Sequence, residues 1–109
     1  MIYLASPYSH PDQAVREQRF RDVCKVAADM MQHGEQVFSP IACSHPIAEF
    51  GLPKDWEFWE VFDRWFIERC EEFAILTLDG WKESKGVTAE TQIAKELGKP
   101  IRYIELRKP

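Results

Sequence analysis

Short apolar runs alternate along this chain with stretches where apolar residues recur every three or four positions. Ile2 to Ala5 is an apolar run that reads as a buried strand. The turn residues from Ser6 to Pro11 break it. Ser9 is the expected cap of the following helix, with Asp12 as the capping-box acid. Val15, Phe20, Val23, Cys24, Ala27, Met30 and Met31 then recur near helical spacing, and Gly34 supplies the C-terminal stop. Gln36 to Ser39 reads as a second short strand, halted by Pro40. Pro40, Pro46, Gly51 and Pro53 mark residues 40–55 as a long loop, a feature often tied to function. Asp55 opens a helix carrying Trp56, Trp59, Phe62, Trp65, Phe66 and Arg69. Phe73 to Leu78 is the clearest strand, apolar almost throughout. After Asp79-Gly80-Trp81, a helix is expected from about Val87 to Leu97. Gly98-Lys99-Pro100 ends it, and Ile101 to Ile104 forms a last strand.

Strands alternating with helices predict an α/β fold, a parallel sheet covered by helices on both faces. Ligands in such sheets bind at the carboxyl ends of the strands. Ser6 to His10, Ser39 to His45 and Asp79 to Glu90 all belong to that edge, although they are far apart in sequence. This convergence directs attention to the edge before any particular chemistry is considered.

Composition narrows the possibilities. A chain of 109 residues, 45% hydrophobic and 29% charged, suits one ordinary globular domain over residues 1–109. The formal net charge of −4, without a basic run, argues against a nucleic acid polymer as partner. A small anion held by backbone groups stays compatible with it. No apolar run approaches the ~20 residues of a membrane span. Cys24, Cys43 and Cys70 are odd in number and widely spaced, as expected for reduced thiols. With no visible signal peptide, a cytoplasmic location is expected.

The richest segment is Ser84-Lys85-Gly86-Val87-Thr88-Ala89-Glu90. It places a small polar residue and a glycine where a strand hands over to a helix, a natural place to hold a phosphate. Glu90 is read as a first-turn carboxylate, kept ionised by the helix dipole and available as a nucleophile. A solvated glutamate is the plainer alternative. Asp63, among Trp59, Phe62 and Phe66, is either a partly desolvated acid–base group or an exposed aspartate. Tyr3 either points its hydroxyl at the carboxylate or simply packs in its strand. Ser84 and Gly86 either contact phosphate or merely begin a helix. His10 and His45 are candidates to contact a phosphate or sugar from flanking loops. Cys43 and His45 make a poor metal pair, having no second pair at ligand spacing. Neither metal nor cofactor is expected. The four tryptophans suit a base-stacking surface, a core, or a face buried in a homo-oligomer.

Several segments together resemble the nucleoside 2-deoxyribosyltransferase-like superfamily. They are Tyr3-Leu4-Ala5-Ser6-Pro7, the helix of Asp63, Leu76-Thr77-Leu78-Asp79-Gly80-Trp81, and Ser84-x-Gly86-Val87-x-x-Glu90 with Gly98-Lys99-Pro100. The Ser39-Pro40-Ile41 and Asp79-Gly80-Trp81 segments look like its small DUF1937-type branch. The resemblance implies a three-layer flavodoxin/Rossmann-like sheet of four or five strands, cleavage of N-glycosidic bonds, and assembly into homo-oligomers. Glu90 matches the residue that attacks the sugar C1′, and Asp63 the group that manages the proton. Ser84 stands where the transferases have Asp. This departure shifts the expectation toward hydrolysis of (deoxy)nucleoside 5′-monophosphates, with base exchange or plain nucleotide binding as alternatives. The expected catalytic set is Glu90, Asp63 and Tyr3. The expected substrate-binding set is Ser6, Pro7, His10, Ser39, His45, Asp79, Ser84 and Gly86, acting on a small nucleotide or nucleoside.

Overall fold

The computed structural model describes residues 1–106. Four strands, β1 (Ile2–Ala5), β2 (Val37–Phe38), β3 (Glu72–Leu76) and β4 (Ile101–Ile104), form a sheet in the order β2-β1-β3-β4. Every neighbouring pair is parallel, with Ile2 opposite Val37 and Glu72, and Phe73 opposite Ile101. Helices α1 (Gln13–Gln32), α2 (Pro40–Ala48), α3 (Trp56–Arg69) and α4 (Lys85–Glu96) complete the domain.

The period of two along the strands divides the core. Ile2, Leu4, Ala74 and Leu76 face one side and pack with Val23, Val26, Ala27 and Met30 of α1. Tyr3, Ala5, Phe73 and Ile75 face the other and pack with Ile67 of α3 and Val87, Ile93 and Ala94 of α4. Both faces are therefore covered, and the three-layer α/β/α expectation holds with four strands among the described residues. None of the described helices is long and apolar enough to cross a membrane. Cys24, Cys43 and Cys70 are free thiols.

Several local expectations are corrected. Asp12, not Ser9, caps α1, its side chain accepting from the Ala14 amide at 2.9 Å. Residues 40–55 are not one long loop, because the first nine of them fold as α2. Pro40 occupies the opening turn, where its missing N–H costs nothing, and Ser39 caps the helix through the Ala42 amide at 3.0 Å. Pro46 is tolerated inside this short helix. Asp55 stands at the start of α3 but makes no side-chain cap bond. The second strand shrinks to Val37–Phe38, and the third ends at Leu76. Gly34 does follow α1 as expected, with φ of +88°.

Candidate active site

A cavity of about 460 Å³ opens at the carboxyl edge of the sheet. Three chain segments build it: Ser6, Tyr8 and Ser9 after β1, the inner side of α2 after β2, and Glu83 to Gly86 after β3. Helix α3 and the turn before it supply Lys54, Asp55, Trp56, Glu57, Trp59 and Asp63.

Glu90 and Asp63 meet on this cavity, with 4% and 7% of their surfaces exposed. Neither is a solvated surface carboxylate. Tyr3, wholly buried in β1, donates its hydroxyl to Glu90 Oε2. The ring of Tyr3 is stacked on Phe73 at 5.6 Å, so the hydroxyl is aimed by a rigid neighbour. The Asp63 and Glu90 carboxyls lie within hydrogen-bond reach of one another. Two carboxylates have no hydrogen to share, so this contact calls for a proton between them.

Burial pushes Glu90 well above the usual carboxylate range, and neighbouring Asp63 pushes it further, while the Tyr3 hydroxyl opposes the rise. Burial also raises Asp63, and hydrogen bonds with Glu90 and Tyr3 hold it down. The pair therefore resists ionising together and holds a proton between its two carboxyls. The expectation of a dipole-ionised, first-turn glutamate is overturned. Glu90 lies six residues past the cap Ser84, in the second turn, where no free amide of the helix start reaches it. Burial and a second carboxyl govern its charge instead.

The start of α4 faces the same cavity. Ser84 caps it, its Oγ accepting from the Val87 amide at 3.2 Å, while its own hydroxyl hydrogen stays free to donate. The Lys85 and Gly86 amides open the helix, where no earlier turn supplies carbonyls. Gly86 has no positive φ, and a Cβ there would come no nearer than 4.0 Å to Ser84 Oγ. Neither its backbone nor crowding demands a glycine. Ser6 Oγ and Asp63 Oδ1 are buried with no hydrogen-bond partner among the described residues, and both residues line the cavity. Lys85 Nζ pairs with Glu57 Oε1 at 3.0 Å across the mouth, both side chains well exposed.

Of the sequence candidates, Ser6, His45, Asp63, Ser84, Gly86 and Glu90 line the cavity, and Tyr3 joins through Glu90. Four others do not line it. Pro7 is packed in the interior. His10 is exposed, its Nδ1 accepting from the Asp12 amide at 3.0 Å. Ser39 is occupied as the cap of α2. Asp79 is exposed, and its carbonyl accepts from Arg19 Nη2 at 3.1 Å. Trp56 and Trp59 line the cavity, whereas Trp65 is half exposed on the outer side of α3 near Phe58 and Val61.

Sequence reading missed Tyr8, Ser44, Lys54 and Lys85 on the lining. It also missed a cluster in which Glu17, His45 and Glu49 bring one ligand atom each within 4.8 Å of the others. His45 and Glu49 stand one helical turn apart, a spacing that could have been noticed had residues 40–49 been read as helical. Glu17 joins from a different helix, and no local pattern announces it.

The chain matches the family described as "Domain of unknown function (DUF1937)" over residues 1–106. It belongs to that family. No curated protein matches it.

Proposed function

We infer that this cavity hydrolyses the N-glycosidic bond of a (deoxy)nucleoside 5′-monophosphate, releasing a free base and a sugar phosphate. The observation that carries this reading is the buried Asp63–Glu90 pair, held by Tyr3 on a cavity whose rim is a helix start. Burying two carboxyls side by side is costly, and perturbed carboxyls in a cleft mark a candidate functional site. The resemblance of the Ser84-to-Glu90 segment to the nucleoside 2-deoxyribosyltransferase-like superfamily supports the same assignment.

Glu90 attacks C1′ after its proton passes to Asp63. The C1′–N bond breaks, its electron pair leaves with the base, and the base departs with the proton that Asp63 held. Water then attacks C1′, the ester to Glu90 breaks, and the water proton returns through Asp63 to Glu90. The neighbouring Asp63 and Glu90 carboxyls suit this exchange, because the proton passes directly from one to the other. Tyr3 keeps a donor on Glu90 whenever the carboxylate is bare.

The phosphate sits at the start of α4, on the free amides of Lys85 and Gly86 and the Ser84 hydroxyl. Ser6 Oγ, buried without a partner, gives the ligand a further hydrogen-bonding group. Lys85 leaves Glu57 for the phosphate at little cost, since an exposed pair of this kind is worth under ~1 kcal/mol. A serine at position 84 puts a neutral donor, not a carboxylate, at the cap of α4, although Asp55, Glu57 and Glu83 also line the cavity; that neutral cap favours hydrolysis of phosphorylated substrates over base exchange on free nucleosides. The test is incubation of the protein with a panel of nucleoside 5′-monophosphates while free base is followed by chromatography. Release that requires both Glu90 and the 5′-phosphate supports the assignment; equal release by Glu90→Ala removes it.

A further inference from the structure

Away from the carboxyl pair, one imidazole and two carboxylates converge where α1 meets α2. Glu17 belongs to α1, His45 to α2, and Glu49 stands just past the end of α2. His45 Nε2 lies 3.0 Å from Glu17 Oε1 and 3.6 Å from Glu49 Oε1. One ligand atom from each of the three lies within 4.8 Å of the other two. The glycosidic chemistry uses none of them.

The imidazole is fixed before any ligand arrives. His45 is buried, with its ring stacked on Phe20 at 4.2 Å and its Nδ1 2.5 Å from the Tyr8 hydroxyl. The ring therefore holds Nε2 toward the two glutamates. A hydrogen on Nε2 serves only one of them, because Glu49 at 3.6 Å is beyond hydrogen-bond reach. Two carboxylates this close also repel, and among the described residues no Lys or Arg side chain pairs with either. A cation among the three donors would relieve that repulsion and engage all of them at once.

We propose that Glu17, His45 and Glu49 bind a divalent cation of the zinc class, which clips α1 to α2. Nitrogen and oxygen ligands sit about 2.0–2.2 Å from zinc, which puts neighbouring ligand atoms roughly 3.0–3.5 Å apart. The two measured separations from Nε2 are close to that range. Glu49 is the most exposed of the three and has the freedom to close the remaining gap. With Nε2 on the metal, the ring hydrogen is on Nδ1 and donates to the Tyr8 oxygen, the kind of outer partner that orients a metal-binding histidine. Imidazole favours zinc and its neighbours over magnesium and calcium, which prefer oxygen alone. Cys43, two positions before His45 on α2, points to a different side of the helix and is not one of the donors.

The test titrates the full chain, stripped of metal with a chelator, with zinc chloride by calorimetry near neutral pH. Wild type is expected to bind one Zn2+ per chain and to melt at a higher temperature with the metal than without it. Magnesium chloride at the same concentration leaves the melting temperature unchanged. Glu17→Gln and Glu49→Gln each weaken zinc binding by at least about tenfold, since loss of a partner behind a ligand already costs roughly 10–100-fold. Both variants keep an oxygen that accepts from Nε2–H, and melting in chelator checks that they fold like wild type. Cys43→Ser binds zinc as wild type does. Absence of zinc binding, affinity unchanged in both glutamine variants, or affinity lost in Cys43→Ser overturns the site. Base release plays no part in these measurements, so the hydrolase reading stands or falls separately.

Discussion

Deleting one oxygen tests the carboxyl pair most cleanly. In Tyr3→Phe the ring keeps its place, since Tyr3 is fully buried and stacked nearly parallel on Phe73, with 8° between the rings. What disappears is the donor to Glu90 Oε2. A buried acceptor left without its partner costs about 1–3 kcal/mol. For a domain near this length each kcal/mol moves the melting temperature by about 4–8 °C, so the drop expected is roughly 4–24 °C. The pH dependence carries more information than the size. The Tyr3 hydroxyl favours the ionised form of Glu90 and opposes burial and Asp63, which raise it. Without the hydroxyl, Glu90 is raised further. A carboxyl whose folded value lies above its unfolded value contributes stability that is fully present below the unfolded value and is lost as pH rises through the folded one. The loss is larger in the variant, so the gap between the two melting curves widens as pH rises. Thermal denaturation followed by circular dichroism at several pH values measures it. An unchanged melting temperature, or a gap that narrows with rising pH, refutes the placement of Tyr3 against a carboxyl that ionises with difficulty.

Other substitutions probe separate parts of the account. Glu90→Gln removes a buried ionisable group whose value is raised, so the variant gains on wild type as pH rises; by neutral pH the gain is roughly 1–3 kcal/mol, the scale of an uncompensated buried polar group, read by urea denaturation. Gly86→Ala is expected to fold at least as well as wild type, with a gain of up to about 0.5–1 kcal/mol, because alanine suits a helix better than glycine. It should nonetheless raise KM for a phosphorylated substrate, since the methyl group covers the proposed anion site. Gly80→Ala behaves in the opposite way, because Gly80 has φ of +88° and a Cβ there would lie 2.9 Å from Arg19 Nη2. It should lose about 1–2 kcal/mol through the left-handed backbone alone, as read from a denaturation midpoint.

The sheet was legible because its strands are short apolar runs separated by helical periodicity, and both faces of β1 and β3 are covered. That pattern predicts a parallel sheet without reference to any site. The carboxyl edge followed from topology, and with it Ser6, His45, Ser84, Gly86 and Glu90. The helix α2 was hidden by its prolines, which read as loop residues although Ser39-Pro40 is a good helix start. Its place at the carboxyl edge made Ser39 a ligand candidate, but its side chain is spent on the cap of that hidden helix. The charge state of Glu90 was misread for a different reason. Position in a helix is local, but burial and the approach of Asp63 from α3 are tertiary. The link from His45 to Glu17 was invisible in the same way, since 28 residues separate the partners.

The central claim is that Glu90 forms a bond to the sugar. Rapid quenching of the protein with a deoxynucleoside 5′-monophosphate, followed by peptide mass spectrometry, tests it directly. The account predicts a peptide containing Glu90 that carries one added deoxyribose phosphate, present in wild type, absent in Glu90→Gln, and lost as free base accumulates. Base release at the wild-type rate by Glu90→Gln, with no adduct on Glu90 in either protein, would contradict it.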